Sequence, residues 1–413
     1  MKGEILNGLN DPKQLEKLYR SNKAQFKKEF STIYLEVKGN KLADFWNERL
    51  HYESDEINWG NGRELLFVII ASLLSGLIAK LPKILSINED FFYPRNVGFI
   101  IFPMLMAYFV GKNKLALSKI GFIAGLTLVS LFFINLLPNV KNSDTLILSC
   151  IHLLLFLWGV LGFAFAGENP NNHKKRLGYL KYNGDLVVMT ALIVIAGGIM
   201  SGITIGLFSL IGFSIETFWF ENVVVFGLPA APILGTYLTQ TNPQLVGKVS
   251  PVIAKIFSPL VLVMLVIYLV AVVYSGKNPY NDREFLLIFN ALLIGVMAII
   301  FFSVSELSST KSPVEVWILF LLSVVTVVVN CVALSAIVFR ISEGGITPNR
   351  AAVLGGDVLI LVNLLLVTAQ LFNVLLKKAD ITGVGKSIAS YLPIYLVWAI
   401  IVTFLFPLLF QFR

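Results

Sequence analysis

The chain has 413 residues, 56% of them hydrophobic and 14% charged, with a mean hydropathy of +0.78, a composition that a soluble domain of this size could not tolerate on its surface. A net charge of +8 points to nucleic acid in a soluble protein. Here the basic residues lie mostly in the amino-terminal tail and in loops, where membrane orientation accounts for them, and no nucleic-acid partner is expected.

The first sixty or so residues are highly charged and lack the short apolar core and small-residue cleavage site of a signal peptide. The first span is therefore expected to serve as an uncleaved anchor. Asp11 can cap a helix with Pro12 at its first position, followed by Leu15, Leu18 and Tyr19 at helical spacing. From Asn40 a second segment sets Leu42, Phe45, Trp46 and Leu50 on one face, with Lys41, Asp44, Glu48 and Arg49 on the other. Residues 1–62 thus read as an amphipathic helical segment and residues 63–413 as a membrane domain. The segment either packs on the membrane domain or lies in the headgroup zone, or else meets a protein partner.

From Leu65 to Phe410 runs of roughly twenty apolar residues, long enough to cross a bilayer, alternate with short polar breaks. They are apolar on nearly every face, which excludes the alternating strands of a barrel and predicts an all-α polytopic bundle. The expected spans are Leu65–Leu81, Val97–Val110, Ile120–Leu137, Thr145–Ala166, Leu186–Ile211, Asn222–Leu238, Ile256–Tyr274, Phe285–Phe302, Val316–Phe339, Ala351–Leu376 and Leu392–Phe410, about eleven in all. A re-entrant element also fits between Leu186 and Leu238, where a Gly-rich run meets a Pro-rich one. The basic cluster Lys174, Lys175, Arg176 and Lys181 follows the fourth span and predicts a cytoplasmic amino terminus.

Gly198, Gly202 and Gly206 repeat every four residues in the fifth span and predict a groove for a closely packed neighbouring helix. Pro229 and Pro232 in the sixth remove backbone donors and predict a helix break of the kind secondary transporters use, although no second copy of the pair forms an inverted repeat. Between these spans Glu221 has no Lys or Arg near it in sequence; if desolvated it is a candidate ion or proton site.

The tenth span carries the most chemistry. Thr347 can cap it, with Pro348 in the first turn, and Asp357 lies inside the apolar run behind Gly355 and Gly356. Arg350, seven residues earlier on the same face, and Arg340, across a tight loop, are its candidate partners, so Asp357 reads either as half of an ion pair or as a proton or ion relay. Asn290, Asn330 and Asn363 add amides to the eighth, ninth and tenth spans, as helix glue or as a polar pathway.

Cys150 and Cys331 both fall inside spans, without a C-x-x-C pair, and read as buried free thiols. The three histidines do not cluster, and no metal or cofactor is expected. Asp380–Ser387, DITGVGKS, ends like a phosphate-binding loop but has Asp380 in place of the first glycine and joins two spans instead of following a strand, so it is rejected. No catalytic residues can be assembled, and an enzyme is the least favoured reading.

The phrases QLEKLYRSNKAQFKKEF, NKLADFWNERL, RISEGGITPNRAAVLGGDVLILVN and LPIYLVWA resemble a family of bacterial inner-membrane proteins catalogued as domain of unknown function forty-one fifty-three. The resemblance implies a multi-pass helical fold in the inner membrane and brings no activity, substrate or site residue. A label of carotenoid-cleaving oxygenase attached to some members needs an iron site of several histidines, which this sequence does not supply. The function expected is transport or conduction of a small solute or ion, with the lipid bilayer as surroundings; the alternative is a membrane sensor or assembly scaffold acting through its amino-terminal segment.

Overall fold

The computed structural model describes residues 2–21, 23–51, 61–140, 143–210, 214–243, 283–307 and 313–412, with a few positions between 258 and 270. The chain forms two compact units, Met1–Ile57 and Asn58–Arg413. No strand occurs among the described residues.

The first unit has four helices, α1 (Lys2–Asn7), α2 (Pro12–Ser21), α3 (Lys23–Val37) and α4 (Lys41–His51). Asp11 caps α2 as the sequence predicts, its carboxylate accepting from the Lys13 and Gln14 amides at 3.0 and 3.3 Å. Ile5, Leu15, Phe26, Phe30, Ile33, Ala43, Trp46 and Leu50 form its core. Phe45, expected on the buried face, is exposed; Ala43, Trp46 and Leu50 form the stripe instead, and Phe45 turns outward beside it.

The second unit is built from long apolar helices: α5 (Gly62–Leu85), α6 (Glu89–Asn113), α7 (Leu117–Leu136), α8 (Asp144–Ala166), α9 (His173–Leu210), α10 (Glu216–Thr241), α11 (Arg283–Leu307), α12 (Pro313–Gly344), α13 (Pro348–Leu375) and α14 (Ile381–Leu409). Among the described residues nine are long and apolar enough to cross a membrane, and α11 contributes the shorter apolar stretch Leu293–Ser305. Large apolar side chains such as Leu66, Ile69, Leu73 and Leu77 of α5 project outward, as bilayer contact requires. The chain is a helical membrane protein. The expected seventh span, Ile256–Tyr274, lies largely outside the described residues.

Side-chain bonds fix which helix ends meet. Lys112 reaches Gln240, Lys119 reaches Glu168, and Ser390 bonds His173, gathering one end of the bundle around the basic cluster. At the other end Tyr93 donates to the Ala79 carbonyl and Ser143 to that of Phe412. Thr368 donates to Ser323 at 3.0 Å and Asn330 to the Asp357 carbonyl at 3.2 Å, so α12 and α13 run antiparallel. With α13 leading into α14 at the basic end, α12 starts and α11 finishes there. Thr241 and Arg283 therefore lie at opposite ends.

One core surrounds α6 and α8, through Phe109, Leu153, Leu157 and Leu161, and a second lies among α11 to α14, through Leu293, Ile300, Leu322, Val329, Leu364 and Ile388. Trp158 packs on both. The closest approaches are aromatic rings laid on glycines. A Cβ at Gly76 would fall 2.1 Å from the Phe226 ring, at Gly184 2.0 Å from Phe302, and at Gly355 2.1 Å from Trp398. Gly198 and Gly202, expected to pack closely, have nothing within 4 Å of a Cβ, and the surroundings of Gly206 lie outside the described residues. Among the described residues nothing fills the groove on the far half of α9, and only 6% of the apolar window of this helix is buried. Cys150 is buried, whereas Cys331, expected to be buried, faces outward from α12.

Candidate functional site

The helix that carries Asp357 starts as the sequence predicts. Thr347 is extended, its hydroxyl accepts from the Arg350 amide at 3.3 Å, and Pro348 occupies the first turn. Asp357 follows nine residues later, about 14 Å along the axis at ~1.5 Å per residue, deep in the apolar run. It is 3% exposed, and its Oδ2 is buried without a hydrogen-bond partner.

The expected ion pair with Arg350 is not made. Helix side chains lean toward the amino terminus, so an arginine seven residues before the acid reaches away from it. Arg350 Nη1 donates instead to the Gly345 carbonyl at 2.8 Å, in the loop before the helix. Arg340 is half-buried one turn before the end of α12.

Three of the amides named from sequence carry orphaned oxygens. Asn330, fully buried on α12, spends its amide group on the Asp357 carbonyl and leaves its own Oδ1 unpartnered. Asn363, fully buried on α13, donates to the Tyr395 hydroxyl at 2.9 Å, and Tyr395 in turn donates to Met297 Sδ at 3.6 Å; Asn363 Oδ1 is orphaned. Asn290 on α11 likewise has an unpartnered Oδ1. The groups brought next to one another are thus Asp357 with Asn330, and Asn363 with Tyr395; no bond joins the two pairs.

Helix α14 adds polar atoms that the sequence reading passed over. The Trp398 indole abuts Gly355, and its buried Nε1 has no acceptor. A turn further on, the helix loosens into a π-turn over Ile401–Leu405, ahead of Pro407. Proline has no amide hydrogen, so the Thr403 carbonyl four residues back loses its helical donor; Ser149 of α8 supplies one at 2.9 Å. Thr403 Oγ1 is buried and orphaned. The signal was available, because Pro407 inside an apolar run predicts a freed carbonyl at residue 403.

Glu221 is not the desolvated acid expected of a candidate ion site. Its carboxylate pairs with Lys83 at the end of α5, its side chain is 41% exposed, and Lys80 donates to the adjacent Asn222. No base is near in sequence, but the fold brings two from 138 and 142 positions away, so Glu221 is neither desolvated nor a free ion site. Pro229 and Pro232 do not break their helix either, since α10 is continuous from Val225 to Thr241. Its irregularity is a π-turn at Phe220–Val224, beside the Lys83 contact. Residues 216–241 together are long and apolar enough to form one candidate span.

A buried carboxylate oxygen without a donor inside a membrane helix suits a proton or a small hard cation. No group of three His, Cys, Asp or Glu side chains that could hold a metal ion occurs among the described residues. The rejected loop at Asp380–Ser387 opens α14, with Asp380 accepting from the Ile381 amide at 2.8 Å as an ordinary cap. No protein-family model, curated protein or solved structure matches this chain.

Proposed function

We propose that the protein transports or conducts a small solute or ion, and that Asp357 is the group that binds and releases a proton or small cation on the way. The observation that carries this reading is the carboxylate Oδ2, buried well inside a membrane helix without a donor, on a residue whose backbone carbonyl accepts from the buried Asn330 amide. Intramembrane acids of this kind mark ion and proton pathways more than they stabilise a fold. The π-turn and Pro407 of α14 support it, because irregular helices are tolerated where they border a polar path.

The family resemblance, an inner-membrane location and a cytoplasmic amino terminus belong to the same proposal. A density map of the protein in lipid nanodiscs tests it: water or ion density reaching Asp357 Oδ2 from one face is expected, and a dry, sealed core around that oxygen sinks it. One observation favours a sensor or scaffold as the second reading, namely the separate core of residues Met1–Ile57. On that reading, deleting the first unit abolishes the cellular role and leaves any flux intact.

A further inference from the structure

Arg95 is the least accounted-for charge in the described structure. The expected second span begins at Val97, but α6 starts at Glu89, after Asn88, whose side chain caps the helix by accepting from the Phe91 amide. Arg95 is thereby carried two turns into the helix and is 2% exposed. Its guanidinium lies 4.1 Å from the Phe91 ring centre. Nη1 donates to the Phe91 carbonyl at 3.3 Å and Nη2 to Asn139 Oδ1, in the loop before α8, at 3.4 Å. Both contacts are long and both acceptors are neutral. Nε is buried without an acceptor, and no carboxylate pairs with Arg95 among the described residues.

The neighbours cannot supply the missing charge. Asn96 and Asn135 bond each other reciprocally at 3.0 and 2.9 Å and spend their remaining amide hydrogens on the Phe92 and Leu131 carbonyls. Glu89 and Asp90, in the first turn of α6, are exposed. The nearby Cys150 of α8 offers a thiol. Arginine does not shed its proton in proteins, and a buried cation with only neutral partners is strongly unfavourable. The donors left over lie along the Nε edge, whose fork matches two oxygens of one anion.

We propose that Arg95 anchors an oxyanion site at the junction of α6, Asn139 and α8, and that its ligand is a phosphate- or carboxylate-bearing group. The position is two turns from the helix start, and the group it binds has two possible sources, a lipid headgroup or a soluble oxyanion, which the test separates. This inference is independent of Asp357.

The test is thermal unfolding of delipidated full-length protein in a nonionic detergent. In one arm chloride is exchanged for phosphate or acetate at constant ionic strength; in the other, phosphatidylglycerol is added. Wild type is expected to gain several degrees, saturably, in at least one arm. Arg95→Gln should abolish the gain, and Arg95→Lys, which keeps the charge but not the fork, should weaken apparent binding at least tenfold. A response to phosphate or acetate identifies a soluble oxyanion, and one confined to phosphatidylglycerol identifies a lipid. Wild type indifferent to all three additions overturns the proposal, as does an equal response from Arg95→Gln. Should Arg95→Gln fail to fold, the wild-type titration still decides, with Asn139→Ala, which leaves the cation in place, expected to keep the response.

Discussion

Arg350 and Asp357 occupy one face of α13 two turns apart, yet the arginine satisfies a loop carbonyl and the acid is left beside an amide. Same-face spacing is legible in a sequence; the direction in which a long side chain reaches depends on which residue comes first along the helix. Without a shared bond, the stability losses of Asp357→Asn and Arg350→Gln should add to within about 0.5 kcal/mol in the double variant. Recovery of stability in that double variant, read by thermal unfolding in detergent, would restore the ion pair. Gly355 and Gly356 make a second contrast. A methyl at Gly355 runs into the rigid Trp398 indole, whereas at Gly356 it meets only Nε1 at 3.9 Å. Gly355→Ala should cost about 1–3 kcal/mol. Gly356→Ala should be neutral or stabilise slightly, by up to about 1 kcal/mol of helix propensity.

At the scale of whole helices, irregular backbone in α14 is repaired from outside. Pro393 frees the Ala389 carbonyl, and Arg176 of α9 donates to it at 3.3 Å while also bonding the Pro170 carbonyl and Asn171. In the sequence Arg176 marks only membrane orientation; its structural work depends on a partner 213 positions away. Arg176→Met, which strands these acceptors, should cost about 1–3 kcal/mol. Lys175→Met, on an exposed neighbour, should change stability by less than about 0.5 kcal/mol. The glycine repeat of α9 shows the opposite failure of local reading. Spacing of four marks a groove but not its occupant, and the contacts the chain makes are at isolated glycines under aromatic rings. Gly184→Leu should therefore lower the melting temperature far more than Gly202→Leu, and equal losses would contradict the open surroundings of Gly202.

For the molecule as a whole, hydropathy was enough to expect a helical membrane bundle, because lipid forces each span to satisfy its own backbone. The count and the site were less legible. Arg95 and Asn96 truncated the expected second span, since a window rule treats polar residues as an end whether they are buried or not. Opposite helix ends predict that single cysteines replacing Lys175 and Val140, in a chain without Cys150 and Cys331, react with an impermeant reagent from opposite sides of the membrane. The first unit carries its own pH dependence. The hydrogen bond from Arg20, aided by the charges of Arg49 and Arg20, outweighs desolvation and holds the Glu16 carboxyl below its ordinary range. A depressed folded value contributes stability above the unfolded value, about 4.3, that is lost as pH falls through the folded one. Amide protection over residues 2–51, corrected for the intrinsic exchange rate, should thus fall on acidification through the carboxylate range in wild type, and less steeply in Glu16→Gln.

Proton or cation flux through Asp357→Asn, reconstituted in liposomes beside wild type at matched folded amounts, bears most directly on the role assigned to this buried acid. The isosteric change keeps the shape and the Asn330 contact, which is to the backbone, while removing the charge. A variant that melts within a few degrees of wild type and has lost its pH-dependent flux is the predicted result. Unchanged flux from an equally stable variant would contradict it.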